Sequence, residues 1–274
     1  MATNLQQVSP PHSVTIQGAY EPFELQVGRN QIMGHAPYFR FGFANAIGTT
    51  QQTITPAVAA GAAYAYPSAA TVMKVSSSSA SDAAAGTGAR TILVAGLDAN
   101  YNAISETVTL NGQTSVNTLN SYLRILYTEI LTVGSSAGQV GTIYIGTGVV
   151  TTGVPATIYF QSEISYNNFG FAGYTVPAGY TAYITSYTIT SQSTTANVNV
   201  SAALIIYEFG KGYSEIQSTA RMTSNSSFDR HFDYPFAISE KNDIELRAWA
   251  STTGVVNVTG EIQFVLIKND SQTA

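Results

Sequence analysis

The 274-residue sequence contains no cysteine. A disulfide framework and a thiolate zinc site are therefore excluded. Apart from three histidines, any metal would have to be held by oxygen ligands. Charge is scarce too: 10% of residues are Asp, Glu, Lys or Arg, against about 25% in an average soluble domain. The net charge is −5 and no basic block occurs, so nucleic-acid binding lacks its electrostatic footprint. Long apolar runs are missing as well. The most apolar stretch, residues 56–70, is Ala-rich and interrupted by Pro56, Gly61 and Pro67, too short and too broken to span a bilayer. Residues 1–5 carry neither a basic n-region nor an apolar h-region and are not read as a signal peptide.

What the chain does have is hydrophobic mass. Hydrophobic residues make up 45% and aromatics 11%, ample for a core, so the low charge does not signal disorder. The polar surface must then be built from Ser, Thr, Asn and Gln. Such a surface loses little solvation when it is buried against another subunit. A secreted or salt-tolerant β domain would share this composition.

Residues 1–60 read as an irregular N-terminal arm, because Pro10, Pro11, Pro22, Pro37 and Pro56 oppose long helices and central strands. The arm carries Tyr20, Phe23, Tyr38, Phe39 and Phe41. These aromatics are expected to lie on a surface, either of their own domain or of a neighbouring subunit, and they are the candidates for subunit contact. Removal of residues 1–45 is expected to leave a folded β protein that no longer assembles.

From about residue 68 the hydrophobic period becomes two, the strand signature. Residues 89–95 and 105–110 read as a hairpin around Asp98–Asn102, and Asn111-Gly112 follows as a turn dipeptide. A second block begins near Phe169, and Pro177-Ala178-Gly179-Tyr180 reads as a type II turn with Pro177 at its first central position and Gly next. Gly260 is expected to break the last strand. No helical segment stands out. The chain is thus expected to be all-β: two tandem antiparallel β-sandwich or jelly-roll-like domains, residues 61–165 and 166–274, behind the arm.

Catalytic chemistry finds little support. Asp229, His231 and Asp233 would share one face of a strand and could form a carboxylate-flanked base; an exposed edge strand with ordinary ion pairs has the same pattern. Gly86-Thr87-Gly88 lacks the following helix of a phosphate loop. Asp98-Ala99-Asn100-Tyr101-Asn102 copies the first ligand positions of a calcium loop, but Ala103 replaces the required Gly and Glu106 comes too early. Among 16 acidic residues no pair stands out as a glycosidase dyad. The expectation is a protein that is not an enzyme, with no catalytic residue, cofactor or metal. Its 17 tyrosines fit strands, interfaces and sugar-stacking faces equally.

Several segments, in the same order along most of the chain, resemble a family of virion structural proteins of aquatic, especially marine, tailed bacteriophages. They are residues 75–82 (VSSSSASD), 86–90 (GTGAR), 96–102 (GLDANYN), 106–112 (ETVTLNG), 176–184 (VPAGYTAYI) and 240–248 (EKNDIELRA), with 27–30 (VGRN) and 41–43 (FGF) upstream. These are turns and strand starts, so the resemblance implies a structural role and no active site. It implies a virion location after assembly in the host cytoplasm. The expected function is a capsid decoration, cement or head-fibre subunit. The alternatives are a tail, collar or baseplate component, or a host-surface glycan-binding protein. Identical copies that bury weakly charged β surfaces favour closed symmetry. The expected partners are further copies in a homotrimer and the major capsid or another virion protein, with a host glycan as a further possibility and no nucleic acid or membrane.

Overall fold

In the computed structural model, residues 21–164 and 170–269 are described. Pro10, Pro11, His12 and Tyr20, and the expected start of the second block at Phe169, lie outside the described residues. The chain is 58% strand and 3% helix, which makes the class all-β. A short helix, α1 (Phe23–Gly28), precedes β1 (His35–Ala44) and β2 (Gln52–Thr53). Then follow β3 (Thr71–Ser77), β4 (Ala89–Leu97), β5 (Ala103–Thr109), β6 (Val116–Tyr122), β7 (Arg124–Val133), β8 (Ile143–Thr151) and β9 (Val154–Ser162). The last group is β10 (Gly173–Thr175), β11 (Tyr180–Ser193), β12 (Asn199–Tyr207), β13 (Ser214–Thr223), β14 (Ser226–Ile238), β15 (Asp243–Ala250) and β16 (Val256–Lys268).

The strands form two units, each with its own core. In the inner unit, a sheet ordered β6-β3-β8-β9 accompanies a sheet ordered β5-β4-β7. Its core gathers Met73, Val75, Ile92, Val94, Tyr122, Ile145 and Phe160. In the outer unit, a sheet ordered β1-β16-β11-β14 accompanies β10-β15-β12-β13, with β2 added on β15. Its core includes Ile184, Ile189, Leu204, Leu246, Ile262 and Phe264, and also Ala44, Ile47 and Ile54. The described residues therefore start in the outer unit, leave it after β2 to build the inner unit, and return at β10.

Two expectations are corrected by this path. The units are not simply tandem, because segments from both sides of the inner unit build the outer core. Nor is the segment up to residue 60 irregular throughout, since all of β1 pairs antiparallel with β16, from His35↔Ile267 to Ala44↔Val258. Pro37 is tolerated because β1 is the sheet's edge, where a missing N–H breaks no inner ladder.

Gly260 does not break β16. Its strand alternates strictly, with Val256, Val258, Ile262, Phe264 and Leu266 buried and Gly260 in the same inward row. Gly260 faces Gly42 of β1. A Cβ on Gly42 would lie 2.2 Å from Ala172 N and 2.4 Å from Ile54 O. The paired glycines thus admit the loops that carry Ile54 and Ala172 into the core.

The turns mostly follow their residues. The β4–β5 hairpin closes at Leu97↔Ala103. Asp98 Oδ1 accepts hydrogen bonds from the backbone N–H groups of Asn100 (2.8 Å) and Asn102 (2.9 Å), which occupies the supposed calcium ligand as a turn. Tyr180 N–H donates to Pro177 O at 3.3 Å and Gly179 has φ +77°, so Pro177 is the first residue of that turn rather than a central one. Asn111-Gly112 joins no paired strands. It carries the chain from β5 in one inner sheet to β6 in the other, with Gly112 N–H donating to Asp82 O at 2.7 Å.

Candidate functional site

Among the polar places in the interior, two lie where the units meet. The first is a buried junction. Arg124 of β7 and Asp243 of β15 form a two-pronged ion pair, with both side chains under one-tenth exposed. Arg124 also donates to the carbonyls of Pro67 (3.2 Å) and Leu123 (2.9 Å), and its guanidinium lies 4.4 Å from the Tyr66 ring centroid. Thr175 donates its hydroxyl to Asp243 Oδ1. Two residues along β15, Glu245 receives Thr53 Oγ1 at 2.8 Å and Arg247 Nε at 2.9 Å. Glu245 Oε1 and Tyr66 Oη are buried without a hydrogen-bond partner among the described residues, and each influences the ionisation of the other. Burial raises the Glu245 pKa above the ordinary carboxylate value, against the pull of Arg247. Burial likewise pushes the Tyr64 and Tyr66 phenols well above theirs. Most of these groups bond one another across the units, and a hollow lined by Pro67, Tyr101, Leu123 and Arg124 opens beside them.

The second place is a cleft of about 420 Å³, lined by β1, β10, β11 and β16 of the outer unit and by β4, β5 and β7 of the inner unit. Alternation along β1 aims Ala36, Tyr38 and Arg40 into it, while Pro37 and Phe39 line a groove on the other face with Phe232 and Pro235 of β14. Arg40 is 4% exposed. Its guanidinium lies 5.3 Å from the Tyr38 ring centroid, 5.3 Å from Tyr127 and 5.2 Å from Tyr174, within cation–π range. Arg40 Nη1 also donates to Phe39 O at 3.0 Å. Burial lowers the Arg40 pKa and raises those of Tyr38 and Tyr174. Guanidinium keeps its charge at any physiological pH, and the phenols keep their protons. Tyr180 and Lys268, cross-strand partners on β11 and β16, complete the lining.

The five aromatic candidates separate in space. Tyr20 lies outside the described residues. Phe23 is half exposed on α1, edge-on to His35 with centroids 5.9 Å apart. Tyr38 faces inward and stacks on Phe264 at 5.4 Å. Phe39 is exposed, and its ring lies 6.0 Å from that of Phe41. Phe23 and Phe39 thus offer exposed rings, whereas Tyr38 belongs to the cleft.

Asp229, His231 and Asp233 are not assembled. All three are exposed on β14, and Asp229 accepts the Thr188 hydroxyl at 2.6 Å. The β11–β14 register shifts between His231 and Phe236, and His231 and Asp233 both line the open groove beside Pro37 and Phe39. Gly86 and Gly88 pack against the loop around Asp82: a Cβ on either would lie 2.1 Å from Ser81 O or Asp82 Oδ1. No group of three or more potential metal-ligating side chains occurs among the described residues.

Sequence reading missed Arg40, Arg124, Tyr127, Tyr174, Tyr180 and Asp243. A signal was present. In a chain with only 11 Lys and Arg, Tyr-Phe-Arg40-Phe and Leu-Arg124-Ile place a cation inside an apolar run, where a charge needs partners if it is buried.

No protein-family model matches the chain, and no curated protein matches it. Similar solved structures include a chain from the Gx strain of infectious bursal disease virus, 10% identical over 90% of this chain and 77% of that one, with a TM-score of 0.22. A chain from T=1 particles derived from infectious bursal virus is 11% identical over 87% of this chain and 71% of that one, also at 0.22. A VP2 subviral particle of infectious bursal disease virus gives 10%, 87% and 73%, at 0.21. Superpositions this loose carry no argument about what the chain does.

Proposed function

We propose that this chain is a structural subunit of a virus particle, namely a capsid decoration, cement or head-fibre protein of a tailed bacteriophage that acts through subunit contacts rather than catalysis. The observation that carries the reading is the character of the folded surface. It is poor in charge, yet it exposes large apolar side chains on both units: Leu119 (91%) and Val149 (74%) on the inner unit, and Met33 (90%) and Tyr234 (89%) in the outer part of the chain. A surface of this kind loses little on burial against further copies or a shell. The likeness of the turn and strand-start segments to virion structural proteins supports the same reading. A homotrimer bound to the major capsid protein is the assembly that we propose.

Quantitative mass spectrometry of purified particles tests it, with the chain counted against the major capsid protein. Hundreds of copies support a shell position. A few to a few dozen favour the second reading, a tail, collar or baseplate part. Absence from the particle overturns both.

A further inference from the structure

We propose that the hollow beside the Arg124–Asp243 junction binds a neutral sugar ring, the pyranose of a saccharide, stacked on Phe209. The inference goes beyond a structural role. It concerns the isolated chain and stands apart from its station in any particle.

Place and size come first. The hollow lies at the seam of the two units, where ligand sites tend to form, and its volume of about 650 Å³ falls within the range of about 300–1,000 Å³ for small-ligand pockets. The β4–β5 turn of the inner unit supplies Asn100 and Tyr101, and the outer unit supplies Phe209 and Lys241. Ser68, Ala69, Ala70 and Ala99 add small side chains, which keep the space open.

The rings form a fixed platform. Phe209 is 58% exposed, so its ring gains little from core packing, yet its position is held. Its N–H donates to Asn242 Oδ1 at 2.7 Å. The Tyr101 ring meets it nearly at a right angle (79°), with centroids 5.5 Å apart, and Lys241 Nζ lies 5.2 Å from its centroid, within cation–π range. Tyr101 and Lys241 both have φ +65°, a left-handed backbone that bulky side chains rarely adopt. Ala178 N–H donates to Tyr101 O at 2.9 Å, and Lys241 N–H donates to Val176 O at 2.7 Å, which pins both residues. Strain held in this way is typical of ligand clamps.

Chemistry selects the ligand. A pyranose has a C–H face and a rim of hydroxyl groups. The Phe209 ring matches the first. Ser68, Asn100 and the Tyr101 hydroxyl match the second. Burial raises the Tyr101 pKa, so its phenol keeps its proton and can donate as well as accept. Charge does not select an anion here. Arg124 is committed to Asp243 through two bonds, and Lys241 is seated on the Phe209 ring. An anion would have to draw Arg124 from its carboxylate, and a wholly apolar ligand would leave the polar rim unused.

The test is calorimetric titration of the full chain with maltose, lactose, cellobiose and chitobiose, and with galacturonate and cyclohexanol as an anionic and an apolar comparison. The expected result is saturable binding of at least one of the neutral disaccharides, at least about tenfold tighter than that of either comparison. Phe209→Ala should weaken it by about tenfold or more while the unfolding midpoint stays unchanged, and Phe209→Tyr, which keeps a ring, should bind as the parent does. Three results would overturn the proposal. One is no saturable binding of any of the neutral disaccharides by the folded chain. The second is equal binding of galacturonate or cyclohexanol, which would mark an adventitious anion or apolar contact only. The third is a folded Phe209→Ala variant that binds as the parent does.

Discussion

Arg124 Nε donates to Asp243 Oδ1 at 3.0 Å and Arg124 Nη2 to Asp243 Oδ2 at 2.9 Å, so one parallel pair of charge-assisted bonds joins the inner unit to the outer. Taking two such charges out of water is costly, and their geometry recovers the cost only while both are present.

Loss of one partner should therefore be severe. Arg124→Ala strands a buried carboxylate and should destabilise the chain by about 3–5 kcal/mol. The double change Arg124→Met with Asp243→Leu removes both charges and should cost clearly less than Arg124→Ala alone. Urea denaturation of the three proteins measures this. A double variant as unstable as the single one would show that the pair is not the source of the loss.

Asp82 should be the equivalent pin within the inner unit. Fully buried, it accepts from the Ser77 hydroxyl (2.6 Å) and from the N–H groups of Ala89 (2.8 Å), Val140 (2.9 Å) and Gly141 (2.8 Å). Asp82→Ala orphans all of these donors, each at about 1–3 kcal/mol. Thermal unfolding should show either a large loss or a failure of the inner unit to fold, whereas Asp98→Ala, in an exposed hairpin turn, should shift the midpoint only slightly.

Glu245 should leave a mark on the pH dependence of stability. Its folded pKa is raised above the ordinary value of 4.5, first by burial. Between the unfolded and folded values the native state holds the extra proton, so stability falls as pH rises through that window and levels off above it. The difference in urea midpoint between the parent and Glu245→Gln should accordingly decline as pH rises from about 4.5. A difference that is flat or rises with pH would contradict the raised value.

The glycine pair predicts a steric contrast. Gly42→Ala places a methyl group 2.2 Å from Ala172 N, and overpacking a tight core costs about 1–3 kcal/mol or more. Gly28→Ala at the end of α1 meets nothing within 4 Å and should be neutral or slightly stabilising. Differential scanning calorimetry separates the two.

Truncations should now divide at α1. Deletion of residues 1–45 removes all of β1 and Ala44 from the outer core, so the outer unit should lose its cooperative transition rather than stay folded. Deletion of residues 1–20 leaves β1 in place and tests the leading residues for assembly alone. If that shorter chain still joins particles normally, the leading residues are not the anchor.

The all-β class was legible because period-two alternation survives in strands such as β5, β6 and β16. Turns were legible where one residue decides, as at Asp98 and Gly179. The chain path was not. Prolines in residues 1–60 were read as breakers, yet Pro37 sits on an edge where it breaks nothing, and which distant strand supplies that edge is a matter of tertiary pairing. The cleft escaped for the same reason. Tyr38, Tyr127, Tyr174 and Tyr180 are remote in sequence and meet only because β1 and β16 pair and the inner unit folds back on them. Arg40 and Arg124 were visible as odd charges, but alternation cannot say that one meets three rings and the other a carboxylate.

The chain path also sets an order of events. The inner unit is encoded contiguously, so all its strands are at hand once residue 162 has been made. The outer unit is not: among the described residues its early strand β1 pairs only with β16, the last. Contacts that distant close slowly because the loop entropy is lost before the pairing repays it. On a ribosome, β1 must stay unpaired through nearly the whole of synthesis, with Phe39, Phe41 and Phe43 on an open strand. Aggregation during expression should thus begin at this waiting edge, and a chain stopped short of β16 should carry a finished inner unit beside an outer unit that cannot close.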